Sequence, residues 1–262
     1  MNLVNIAGIQ VRDGEASTID DRVVCEERFC LFINDTRFID LVASRNDLAA
    51  LGAGFMVCQG LSRTVDSVTV KGNEIRVFAP VERSCEREME TTGSVGFLCR
   101  PPERVVSGCT ISIPEVHAIT KEIVTELWKE TGGVHCSVIA RDGEIMAKAS
   151  DVGRHNTVDK VVGYAVLNGI DPGECVVGCT GRQPRDMVVK YANAGIPVII
   201  SRAASTNRGI SAAAEFGITL ICFSRDDRFT VYTHPERVHD LMREPGSRAG
   251  KPFEEGGEDY SG

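Results

Sequence analysis

The 262-residue sequence predicts an α/β protein, a layered mixed sheet with flanking helices, joined to a smaller β-rich N-terminal part. Two observations predict it. From Val134 onward short apolar strands alternate with helices, the order that builds a layered and largely parallel sheet. Before Ser112 the apolar residues fall in short runs separated by turn residues, with a single helical stretch. The division that follows has three parts. A β-rich part with one helix and a cysteine-bearing loop occupies residues 1–112, an α/β domain 113–242, and a Gly-, Pro- and acid-rich tail, read as disordered, 243–262.

Val23 to Ile33 and Arg37 to Ala43 read as strands about the turn Asn34-Asp35. Ser44 to Gln59 reads as a helix capped by Ser44 or Asn46, with Leu48, Leu51, Phe55 and Cys58 at helical spacing. Val68 to Val70 and Ile75 to Phe78 pair across Gly72-Asn73. Cys85 to Ser112 shows no period and is broken by Gly93, Gly96, Pro101 and Pro102, which marks a functional or mobile loop. Pro114 to Glu130 is the clearest helix, with Val116, Ile119, Ile123, Val124 and Leu127 on one stripe and Gly132-Gly133 as its stop. His117 lies beside that stripe and reads as structural. Val134 to Ala140 and Glu144 to Ala149 form a hairpin across Asp142-Gly143. Helix Thr157 to Asn168, strand Cys175 to Cys179 and a helix from Pro184 to Gly195 follow, then strand Val198 to Ser201 and helix Ile210 to Phe216. Strands Ile218 to Phe223 and Phe229 to Thr233 complete the sheet, and Pro235 to Met242 reads as a last helix.

Net charge is −8, which argues against a nucleic-acid or anionic-membrane surface. No apolar run approaches the roughly 18 residues of a membrane span. Met1 to Gly14 lacks the pattern of a secretory signal, so the expected compartment is the cytoplasm. Of the ten cysteines, Cys58, Cys175, Cys179 and Cys222 sit in apolar runs and read as small buried residues. No C-x-x-C pair or zinc spacing occurs, so no metal site is expected.

The chemistry is concentrated where strands end and helices begin. An α-helix opens with unpaired N–H groups and a partial positive charge, so an anion can sit there. Asp151-Val152-Gly153-Arg154-His155-Asn156 brings to such an opening a cap, Asn156, a glycine that lets backbone approach closely, and two side-chain donors. The design recurs at Thr180-Gly181-Arg182-Gln183-Pro184-Arg185, at Ser201-Arg202 through Asn207-Arg208, and at Ser224-Arg225-Asp226-Asp227-Arg228. Ligands of open α/β sheets collect at such carboxyl ends, and arginine grips phosphate bidentately. The expectation is one site for a large ligand with more than one phosphate; the alternative is that these arginines pair with Asp186, Asp226 and Asp227. No Walker loop or Gly-x-Gly-x-x-Gly is present. His135 and His155, at predicted element ends, lie either near that ligand or in structural hydrogen bonds. Asp151 and Asp159 are expected to hold Arg154 and Lys160 in place.

Thr131-Gly132-Gly133-Val134-His135, the string from Asp151 through Lys160, Thr180-Gly181-Arg182, Ala194 to Val198, and Gly217-Ile218-Thr219-Leu220 through Tyr232-Thr233 closely resemble the formate dehydrogenase accessory sulfurtransferase family, FdhD. The resemblance runs from about Phe32 to Val238 and is strongest after Thr131; Gly54-Phe55 matches the family's Gly-Phe pair. It implies a cytidine-deaminase-like core, a homodimer, and passage of sulfur from a cysteine desulfurase to the molybdenum bis-guanine-dinucleotide cofactor before formate dehydrogenase receives it. By the same resemblance Gly153, Arg154, His155, Asn156, Thr180, Gly181, Arg182, Ser201, Arg202 and Phe223-Ser224-Arg225-Asp226-Asp227-Arg228 hold that cofactor. Asp226 departs from a usual small glycine and Thr180 from a serine. The family's Cys-Gly-x-Cys-Gly loop is missing; Thr91 to Arg100 retains only Cys99. Cys99, beside Arg100, is therefore the first candidate persulfide carrier, Cys109 the second and Cys85 the third. A chaperone that binds the cofactor without transferring sulfur is the alternative. A zinc nucleoside deaminase, suggested by fold alone, lacks its His-x-Glu and Pro-Cys-x-x-Cys ligands.

Overall fold

The structure is a computed structural model that describes residues 2–81, 87–88, 96–97 and 102–242. Cys85, Cys99, Arg100 and the tail from 243 lie outside the described residues. Strands β1 (Leu3–Arg12) and β2 (Glu15–Val24) form a hairpin closed by Asp13-Gly14, both at positive φ. The hairpin has no counterpart in the sequence pattern, which reads Val23 to Ile33 as one strand. The chain instead breaks at Cys25-Glu26, and β3 (Glu27–Ile33) joins a different sheet. It pairs with β4 (Thr36–Ala43) across Asn34-Asp35, whose φ of 47° and 62° make the turn that matches strand twist. Helix α1 (Leu48–Cys58) follows, then β5 (Ser67–Lys71) and β6 (Glu74–Phe78), giving a four-stranded sheet in the order β4-β3-β6-β5. Two short strands, β7 (Arg87–Glu88) and β8 (Gly96–Phe97), pair with each other.

The helix expected over Pro114 to Glu130 is two helices, α2 (Ile113–Glu122) and α3 (Glu126–Thr131). Thr125 makes the break: its hydroxyl accepts from the Trp128 N–H and caps a fresh start. Next come β9 (His135–Arg141), β10 (Glu144–Asp151), α4 (Arg154–Leu167), β11 (Val176–Cys179) and α5 (Arg185–Ala194). The chain continues through β12 (Val198–Ser201), α6 (Asn207–Glu215), β13 (Thr219–Cys222) and β14 (Thr230–Thr233). In place of a last helix stand two 3₁₀ turns, Pro235–Arg237 and His239–Met242. The main sheet has the order β10-β9-β11-β12-β13-β14. It is mixed, with parallel pairing confined to β11–β12 and β12–β13, because hairpins supply both edges. Among the described residues no helix is long and apolar enough to cross a membrane.

Helix α1 joins the two sheets. It is apolar all round, and nine of its residues are buried, as a helix packed on both sides requires. One side lies on the four-stranded sheet, where Gly52 faces Ile75 and Val77. The other crosses α4 so closely that a Cβ on Gly54 would stand 1.7 Å from the Asp159 carbonyl oxygen, and one on Gly163 1.8 Å from that of Ala50. Backbone meets backbone there. Cys58, Cys175, Cys179 and Cys222 are all buried, as their apolar surroundings predicted.

Candidate functional site

Strands β10, β11, β12 and β13 point the same way, so their carboxyl ends share one edge of the main sheet. The four loops expected to hold the ligand leave from that edge. From β10 to β13 lie four strand spacings of ~4.8 Å, about 19 Å in all. The loops are locked to one another. Thr180 Oγ1 accepts from the Cys136 N–H and meets His135 Nδ1 at 3.2 Å. Ser201 Oγ donates to the Gly181 carbonyl at 2.7 Å, and Ser205 Oγ to that of Gln183 at 2.6 Å. The Phe223 N–H donates to the Ala203 carbonyl and the Ser224 N–H to that of Ser201. Gly181 is glycine because the Arg154 side chain packs on it; an added Cβ would come within 2.9 Å of Arg154 Cβ.

The predicted ligand residues divide into two sets. Thr180, Gly181, Ser201 and Ser224 are buried and build the rim, Ser224 through a hydrogen bond to Thr120. Asn156 is not the cap: α4 starts two residues earlier, with Gly153 as N-cap. The Asn156 amide donates to the Val42 carbonyl and to Asp151 Oδ1, and the Gly153 N–H donates to the same Oδ1. Arg182, Phe223, Arg225, Asp226, Asp227 and Arg228 are exposed, and Arg154 and Arg202 half-buried. Among the described residues no salt bridge joins Arg182, Arg225 or Arg228 to Asp226 or Asp227. Phe223 has φ 52°, a strained value for a bulky side chain, and stands 38% exposed at the end of the edge. Burial holds the pKa of Arg154 below its ordinary value; Asp186 opposes this and Arg182 adds to it. The Arg202 guanidinium lies 5.6 Å over the ring of Trp128, the one tryptophan, which nothing in the sequence linked to this edge.

Beneath the first loop two ion pairs are closed off from water. Asp151 Oδ2 meets Lys160 Nζ at 2.6 Å and accepts the Ser44 N–H, while Lys160 also donates to the Ser44 carbonyl and Asn46 Oδ1. Ser44 and Asn46, read as helix caps, thus tie the β4–α1 turn to the opening of α4, and Asp47 takes the N-cap position. Asp151 holds Lys160 as expected; Asp159 takes Lys190, at 2.6 Å, a partner 31 residues away that periodicity does not reveal. Burial raises the pKa of Asp159 and lowers that of Lys160, each opposed by its partner. His155 is buried, and its pKa falls to about 2 through burial and the charges of Lys190 and Arg154. Burial and Arg154 also lower that of His135. His117, half-buried, stacks edge-on against Phe229, the residue after Arg228.

Cys109 is not at this edge. It lines a cavity of about 610 Å³ with Arg141, the last residue of β9, and Val176, the first of β11. The four residues of β11 at ~3.3 Å each put that edge about 13 Å from the arginines. Burial pushes the Cys109 thiol up, against the pull of Arg237. Among the described residues no group of three His, Cys, Asp or Glu could hold a metal ion.

The string from Asp151 to Lys160 and all four rim loops fall within residues 24–239, which match the FdhD/NarQ family model. The chain belongs to the FdhD/NarQ family. Among its relatives, the sulfur carrier protein FdhD of Wolinella succinogenes is 32% identical over 84% of this chain and 83% of its own length. Protein FdhD of Methanocaldococcus jannaschii is 32% identical over 82% of this chain and 89% of its own. The fold matches a crystal structure of a Desulfotalea psychrophila protein assigned as a formate dehydrogenase accessory protein, with TM-score 0.75 and 27% identity over 90% of this chain and 99% of that one. In this FdhD/NarQ chain the motif residues thus do two jobs, some facing outward and some binding the β4–α1 turn.

Proposed function

We propose that this chain takes sulfur from a cysteine desulfurase and passes it to the molybdenum bis-guanine-dinucleotide cofactor before the catalytic subunit of formate dehydrogenase receives it, acting as a homodimer. One observation carries the ligand half of this reading: Arg154, Arg182, Arg202, Arg225 and Arg228 stand on four loops along one sheet edge. A single phosphate engages one or two guanidinium groups. A compound with several phosphates and two nucleotide ends can reach from the α4 opening to Phe223. The sulfur half is supported by the name sulfur carrier protein borne by the Wolinella succinogenes relative. Cys99 is the proposed carrier. Attack of its thiolate on the desulfurase persulfide breaks the S–S bond, moves the outer sulfur to Cys99 and releases the desulfurase thiolate, with no net oxidation.

Two measurements test the reading. Calorimetric titration with guanosine diphosphate should show binding that weakens about tenfold or more in Arg154→Ala and in Arg182→Ala, as loss of a charged hydrogen bond predicts. Incubation with a desulfurase and cysteine should add the mass of one sulfur atom to the wild type and none to Cys99→Ala. Nucleotide binding without any sulfur gain would instead make the chain a cofactor chaperone. No nucleotide binding removes the ligand half altogether.

A further inference from the structure

The hairpin of β1 and β2 is an arm. Ten residues at ~3.3 Å each make it about 33 Å long, and among the described residues no third strand joins its sheet. Its base is tied down. The Cys25 N–H donates to the Asn2 carbonyl, and Arg22 pairs with Glu130 of α3. Val24 packs on Gly133, where an added Cβ would come within 3.3 Å of it. Leu3, Asn5, Ala7, Ile9 and Val11 share one face with Val24, Arg22, Asp20, Thr18 and Ala16, their partners across the ladder. On that face α3 meets the base of the arm, yet towards the tip Ile9 is 78% exposed and Val11 66%. A lone two-stranded hairpin is marginal in water, and a long apolar edge strand is a template for pairing.

The outer edge of β1 selects what it pairs with. From Leu3 to Val11 it carries no ionisable residue, whereas β2 carries Glu15, Asp20, Asp21 and Arg22. An uncharged strand of equal length suits such an edge, and β1 of a second copy is one. Twofold symmetry keeps each face on its own side, so odd-numbered residues meet odd-numbered ones. Antiparallel pairing centred on the uncharged stretch puts Ala7 against the partner's Ala7, Leu3 against the partner's Val11 and Asn5 against the partner's Ile9. Each exposed tip then lies over the base of the other arm, beside the other α3. Arg12 comes opposite the partner's Asn2, next to the partner's Glu26, which is exposed. Such a pair makes about ten backbone hydrogen bonds, the number an ordinary stable interface carries. We infer that the arms of two copies pair edge to edge through β1, forming one four-stranded sheet that holds the homodimer together. Each tip braces, in the other copy, the helix whose Trp128 lies beneath Arg202. The inference rests on the homodimer reading above and adds the surface that forms it.

Its test uses the full chain. Sedimentation equilibrium should show a dimer whose dissociation constant rises about thirtyfold or more when Ile9→Lys and Val11→Lys are combined, as loss of buried interface anchors predicts. Both positions are exposed in the single chain, and circular dichroism confirms that the variant folds. Ala7→Cys should crosslink two copies under mild oxidation with diamide, because directly opposed residues lie within disulfide reach. Gln10→Cys and the wild type, with its native thiols, should not. A dimer that ignores the lysines, or that crosslinks through Gln10→Cys in place of Ala7→Cys, overturns the arm pairing while the homodimer reading stands. A wild type that stays monomeric at every concentration overturns both.

Discussion

The two edges of the main sheet each carry a cavity, and the larger one is the less suited to a charged ligand. Around Cys109 the polar groups answer one another: Arg141 lies 3.3 Å from Glu174 and 3.4 Å from Asp142, and Glu115 is held in a capping box with Ser112. At the opposite edge the loops are bonded through Thr180, Ser201 and Ser205, while Arg182, Arg225 and Arg228 project from them with no salt bridge to the neighbouring Asp226 or Asp227. The contrast teaches that volume is a poor guide to function. What marks the arginine edge is that Arg182, Arg225 and Arg228 stand exposed on loops already tied to one another, so little ordering of those loops remains to be done when an anion arrives.

The largest effect that would break this comparison is on folding. Asp151→Ala leaves Lys160 buried without its carboxylate, and loss of one partner from a wholly buried pair costs about 3–5 kcal/mol. Urea unfolding should show that loss, and a cost under about 1 kcal/mol would mean the pair is not the tie between the two halves. Next comes pH. The folded-state pKa of His155 is depressed to about 2, so the unfolded chain binds its proton first as pH falls below the ordinary 6.5. Stability is complete above 6.5 and should drop by about 1.4 kcal/mol per pH unit below it. Denaturant midpoints between pH 7 and 5 in wild type and His155→Phe check the sign, because the variant should lose that slope; His135, shifted the same way, sets the remainder. On binding, Arg225→Ala with Arg228→Ala should weaken pyrophosphate by about tenfold and flatten its salt dependence, whereas Arg141→Ala should leave both unchanged. The smallest effect is Arg141→Ala on stability, under about 1 kcal/mol, because its partners are exposed.

The arginine edge was legible because each of its loops follows a short apolar strand directly, so adjacency in sequence became adjacency in space. The order of strands and helices after Val134 was legible for the same reason. What escaped depends on partners far along the chain. Nothing local pairs Asp159 with Lys190, or assigns Asn156 to the Val42 carbonyl 114 residues away. The break between α2 and α3 escaped because the apolar stripe runs on through Val124 while a single hydroxyl, that of Thr125, ends one helix and opens another. The N-terminal hairpin is a different failure: Asp13-Gly14 is a plain turn signal, but its strands are largely exposed and show no buried face to read.

Where α1 crosses α4, the chain has nothing but two glycines between one peptide group and the next. No side chain is available there to act as a spacer, so sequence drift can reshape everything around the junction but cannot thicken it. A chimera that takes residues 1–112 from one relative and the remainder from another will assemble only when both halves bring a glycine to this crossing.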